Sequence, residues 1–255
     1  MIRRRVEGFK PRGGFGMMPA MKSAYAAIGL GIFVASALLA RAGEARNPHV
    51  TFPPDPERLP AVRYGKLASG ECLTELAARR IAYTDGKKAL TIETPVTLEG
   101  ALRGVRFEFA HPVPDHYRDV LDCRLLLALD DLAAIARERE IAVVRYNSIF
   151  RRGWARARGQ RHIAGVAIDI VEFEKENGVV LNVKDDFAGG GVGSATCGDR
   201  ARPAATAKAA ELRDLVCALD RARVFNLLLT PHYDRRHSDH FHFEVRRGIS
   251  WFLTQ

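Results

Sequence analysis

Four of the eight histidines of this 255-residue chain fall within residues 232–242, and the end of that run is the first place where chemistry is legible. His240-Phe241-His242 sets two imidazoles two residues apart. On a strand, positions i and i+2 point to the same face. The two rings then sit side by side, while Phe241 and Phe243 turn into the core. A second constellation runs from His162 to Asp169. With a strand starting near Val166, Ala167, Asp169 and Val171 share one face, and Ile168 and Ile170 take the other. Asp169 is then a lone carboxylate in an apolar strand, and burying it unpaired is costly. A metal ion removes that cost; an arginine partner is the plainer alternative. His162 lies just before the strand, and Gly165 gives the backbone freedom to fold it back over Asp169.

Together the two constellations supply His, Asp and His, with one histidine to spare. Three N/O ligands plus an open position is the composition of a catalytic zinc site. Zinc acidifies water and polarises a carbonyl, which is amide-hydrolysis chemistry. The spare imidazole then serves as general base or oxyanion stabiliser. Alone, a His-x-His on a strand is more often structural; the joint pattern is more specific. Glu244 shares the face of His240 and His242, and either orients one of them or is a solvated edge residue, the reading the sequence favours. His232 and His237 either line the approach or sit in a polar turn. Residues 145–161 hold six arginines, which either grip peptide carboxylates or form a solvated loop. The glycine-rich stretch 188–198 lacks the Gly-Lys-Ser/Thr ending of a phosphate loop and reads as a mobile loop.

These residues need elements to hold them. Helical periodicity predicts helices over 117–139 and 204–221 and a shorter one near 72–80. Strands are expected at 89–92, 141–144, 166–173, 179–183, 225–229 and 240–245. Asn177-Gly178 is a hairpin signal between two of them. The order is not strictly alternating βαβ. It predicts an α+β fold, a small and mainly antiparallel sheet flanked by helices, with the metal cleft on the sheet.

The motifs His-x-x-Gly-x-Ala-x-Asp at 162–169 and Asp-His-Phe-His at 239–242 resemble those of the extensin-like C-terminal domain family, which is related to the M15-like zinc D-Ala-D-Ala carboxypeptidases and murein endopeptidases. The resemblance covers roughly residues 69–247. It implies that His162, Asp169 and His242 bind Zn2+ and that His240 is the catalytic histidine. It implies a substrate in peptidoglycan or its peptides. Relatives usually carry Ser two residues before the first motif His, where this chain has Gln160. An upstream Arg of the relatives is here replaced by Arg151 or Arg152, the candidate substrate-binding residues. A non-catalytic cell-wall-binding module of the same fold is the alternative function.

Arg3, Arg4, Arg5, Lys10, Arg12 and Lys22 precede an apolar run over 24–40, which ends in Ala40-Arg41-Ala42. A basic region, an apolar run and a small-x-small site make a secretory signal. Residues 1–42 are therefore read as a signal peptide or retained N-terminal anchor, 43–68 as a Pro-rich extended lead-in, and 69–255 as the peptidase-like domain. Export to the periplasm or cell envelope follows, with membrane contact only through an uncleaved N-terminal segment. The formal net charge is +9, but residues 1–42 hold seven basic residues and one acid. The remainder carries only +3, so a nucleic-acid partner is not expected. Cys72, Cys123, Cys197 and Cys217 would meet an oxidising compartment and form two disulfides, with three pairings open.

Overall fold

The computed structural model describes residues 47–86, 91–111, 119–151 and 161–255. In chain order its strands are β1 (Val50–Thr51), β2 (Tyr83–Asp85), β3 (Pro95–Leu98), β4 (Arg106–Phe109), β5 (Val120–Asp122), β6 (Ile141–Ser148), β7 (Ala167–Lys175), β8 (Val180–Asn182), β9 (Leu227–Leu229), β10 (Phe241–Glu244) and β11 (Phe252–Thr254). The helices are α1 (Pro60–Lys66), α2 (Ser69–Ala78), α3 (Cys123–Arg137), α4 (Val183–Asp186) and α5 (Ala207–Ala222).

The main sheet runs β1-β11-β9-β10-β7-β6-β4, with β8 also on β7, and a smaller sheet runs β2-β3-β5. The β11–β9 and β4–β6 pairs are parallel; the other pairs of the main sheet are antiparallel. The class is α+β as expected. The sheet is larger than expected, with eight strands, and it is mixed. One face of it packs against helices: Ile168, Ile170 and Phe173 of β7 and Phe241 and Phe243 of β10 share one core with the leucines of α3 and α5. Period-2 alternation turns Asp169 and His242 away from that core, and the register places them directly opposite each other.

Several boundaries differ from the periodicity. Helix α3 begins at Cys123, not 117, because Asp122 caps it by accepting from the Arg124 N–H at 3.0 Å. The residues just before it pair instead as β5. Of the strand expected at 89–92, residues 89 and 90 lie outside the described residues and Thr91 and Ile92 are not in a strand; a strand not expected, β2, lies earlier. The strand expected to reach residue 183 stops at Asn182, whose side chain accepts from the Lys184 and Asp185 N–H groups and starts α4. The hairpin before it stands: Gly178 has φ of +81° and its N–H donates to the Lys175 carbonyl. The stretch 43–68 is not merely extended. Pro60 opens α1, which needs no N–H there, and Ala61 and Val62 pack against Phe252.

All four cysteines are paired, Cys72 with Cys123 and Cys197 with Cys217. Two disulfides fit an oxidising environment. Among the described residues no helix is long and apolar enough to cross a membrane. The signal or anchor read at 1–42 lies outside the described residues.

Candidate metal centre

His162 opens a short 3-10 turn, His162–Ala164, that leads into β7. Gly165 closes this turn at φ of +66°, a region that costs any side chain strain. A Cβ there would also lie 2.9 Å from the Asp122 nitrogen. The Gly165 carbonyl accepts from that same N–H at 2.9 Å, so the loop is tied to the start of α3. His162 Nδ1 lies 2.9 Å from the Ile149 carbonyl. A carbonyl only accepts, so this contact places a proton on Nδ1 and aims Nε2 into the cluster. Nε2 faces Asp169 Oδ1 at 3.1 Å and His242 Nδ1 at 3.3 Å. His242 Nδ1 lies 2.8 Å from the same Oδ1.

Two nitrogens and one oxygen thus converge in a buried spot. The three residues form a group whose ligand atoms all lie within 4.8 Å of one another. The donor set fits a divalent ion of the zinc type: two imidazoles, one carboxylate, and a second contact that orients each ring. His242 Nε2 lies 3.4 Å from Glu244 Oε2. Burial alone would lower the His242 pKa, but Asp169 and Glu244 on either side overcome it and push it up to about 9. Burial would likewise raise the Asp169 carboxyl; the hydrogen bonds and charges of His162 and His242 instead hold it well below the usual carboxylate range.

Around this group stand residues of graded visibility in the sequence. His240 precedes β10, and its Nδ1 lies 2.7 Å from Asp239 Oδ1. That contact turns Nε2 to within 3.6 Å of Asp169 Oδ1. His237 joins it: its Nδ1 lies 2.7 Å from Asp234 Oδ1, and its ring centroid is 5.2 Å from His240 and 5.7 Å from His242. Its spacing three residues before His240 was the available signal. His232 stays apart. It is buried, with Nδ1 at 3.1 Å from Thr196 Oγ1 and its ring against Phe187.

Glu244 is buried, not a solvated edge residue as the sequence favoured. Its carboxylate is shared by Arg246 Nε at 2.8 Å and Arg161 Nε at 2.7 Å. Arg161 is therefore a counter-ion, as is Arg145, which pairs with Glu172 and Glu174. Arg151 contacts Asp169 Oδ2 and donates from Nε to Ser148 Oγ at 2.8 Å. Its side chain is 58% exposed, so it can also meet a ligand. Ser148, 3.4 Å from His162 Nδ1, was not anticipated. Arg152, Arg156, Arg158 and Gln160 lie outside the described residues.

Every one of these contacts falls between residues 122 and 246, inside residues 71–253, which match the family described as Extensin-like protein C-terminus. The chain belongs to this family. The match begins in α2 and ends in β11, so this extensin-like domain includes both disulfides and all three candidate ligands. No curated protein and no solved structure matches the chain.

Proposed function

We propose that this extensin-like domain is an exported, zinc-dependent hydrolase of amide bonds in peptidoglycan stem peptides. The observation that carries the reading is the convergence of His162 Nε2, Asp169 Oδ1 and His242 Nδ1, with His240 Nε2 beside them. It takes up the kinship with zinc carboxypeptidases and murein endopeptidases that the motifs suggested. When bound, zinc supplies Lewis acidity to water and carbonyl. His240 accepts a proton at Nε2 during attack, and Asp239 on Nδ1 stabilises the cation that results. His237, held by Asp234, offers an imidazole N–H toward the developing oxyanion. Arg151 neutralises the outer oxygen of Asp169 and so directs Oδ1 inward. The test is incubation of the zinc-loaded protein with purified peptidoglycan, followed by mass spectrometry of the released fragments. New amino termini are expected; a zinc-loaded wild type that releases none refutes the enzyme reading.

A second reading, a non-catalytic cell-wall-binding module, is favoured by Arg151. Its guanidinium already satisfies Asp169, so the carboxylate needs no metal to be buried. Co-sedimentation with peptidoglycan, without cleavage and without bound zinc, separates this module from the hydrolase. The proposed export is tested by N-terminal sequencing of the secreted form, with cleavage expected after Ala42.

A further inference from the structure

Against Asp239, next to His240, the protein has a recess about 430 Å³ in volume. Its floor is Asn147 of β6 and Val171 of β7, and its walls include Arg145, Lys184, Asp185 and Asp239. Asp239 joins it to the candidate catalytic group, because the same carboxylate holds His240 Nδ1. Asp239 is thus the residue that the recess and the candidate group share.

The charged groups of the recess differ in what they have left to offer. Arg145 is spent on Glu172 and Glu174. Lys184 and Asp185 are exposed, and neither side chain has a hydrogen-bond or ion-pair partner among the described residues. Asn147 Oδ1 is buried with no hydrogen-bond partner among the described residues. A buried acceptor left unmatched is destabilising, and native proteins rarely keep one without a reason. Among the described residues the recess thus presents a free ammonium, a free carboxylate and a desolvated acceptor that wants an N–H.

We infer that this recess binds a substrate residue whose side chain ends in both an ammonium and a carboxylate, the zwitterionic end of a diamino dicarboxylic acid. The ammonium meets Asp185 and Asn147 Oδ1, and the carboxylate meets Lys184. A lysine side chain supplies only the first half of this pairing. The inference rests on the stem-peptide reading above for its substrate class, and it concerns binding, which needs no turnover.

The test uses isothermal titration of the full chain with two Ala-γ-Glu-X tripeptide amides, in which X is meso-diaminopimelate or L-lysine. The diaminopimelate peptide is expected to bind at least tenfold tighter. Lys184→Met should erase that preference while leaving affinity for the lysine peptide unchanged, and Asp185→Asn should weaken both. Equal affinities in the wild type, absence of binding by either peptide, or a preference that survives Lys184→Met would overturn the inference. Preference without peptidoglycan cleavage sinks the hydrolase reading alone; cleavage without preference sinks the subsite alone.

Discussion

His242 Nε2 lies 3.4 Å from Glu244 Oε2, a contact between alternate residues of a single strand. The strand period puts both side chains on the cleft face, and against the burial that would raise it, His242 and Arg246 hold the Glu244 carboxyl below its ordinary range. A carboxylate behind a ligating imidazole fixes the ring and raises its basicity. Glu244→Gln is therefore expected to weaken zinc binding about 10–100-fold. Competition titration against a fluorescent chelator reads this directly; an unchanged affinity removes Glu244 from the site.

Zinc binding should also depend on pH in a defined direction. In the metal-free protein, His242 keeps its second proton up to about 9. A metal must displace that proton, so apparent affinity should rise about tenfold per pH unit toward 9 and then level off. The same shift has a stability sign. The folded pKa lies above the ordinary histidine value, so its stabilisation is full below about 6.5 and is lost as pH rises through about 9. Zinc titrations in weakly and strongly buffered solutions, with thermal melts of the metal-free chain, check both.

His240 is held by Asp239 beside the ligands without being one of them in the proposed set. Its replacement by Ala should lower the hydrolysis rate by roughly 10²–10⁴-fold. Zinc stoichiometry, measured by atomic absorption, should stay the same. Loss of metal in His240→Ala would make this histidine a ligand rather than a proton acceptor.

His232 predicts an acid sensitivity of the fold. Burial, reinforced by the charge of Arg213, pushes its pKa down to about 4. Its Nε2 has no hydrogen-bond partner among the described residues, and a Cβ on Gly190 would overlap the ring. The unfolded chain takes up a proton near 6.5 that the folded chain refuses. Stability should therefore fall by on the order of 2 kcal/mol as pH drops from 6.5 toward 4. Urea denaturation at pH 7 and pH 4.5 should show the fall in the wild type and a smaller one in His232→Asn. Equal falls in both proteins would assign the acid sensitivity elsewhere.

The convergence of His162, Asp169 and His242 was legible because each signal is local. A period of two places Asp169 and His242 on one face, and Gly165 marks the bend that returns His162. Asn177-Gly178 announced its hairpin for the same reason. What escaped depends on residues far apart in the chain. Glu244 is buried because Arg161 arrives from some eighty residues upstream. Helix α1 forms within a proline-rich stretch because Phe252 supplies its apolar partner. The start of α3 is set by a competing strand pair and by the Asp122 cap, which periodicity does not register. His232 and His237 look alike in sequence. Only Asp234 and the glycine loop, as packed, send one to the cleft and the other into the core.

Cys123 is the first residue of α3, and the Asp122 N–H before it holds the Gly165 carbonyl that closes the His162 turn. A covalent bond to Cys72 thus stands three links from a candidate ligand. Reducing that bond is expected to loosen the anchor of the turn and with it the aim of the imidazole. In the zinc hydrolase proposed above, maturation would then have an order, oxidation first and metal second, and a chain still inside a reducing compartment would be poorly prepared to capture zinc.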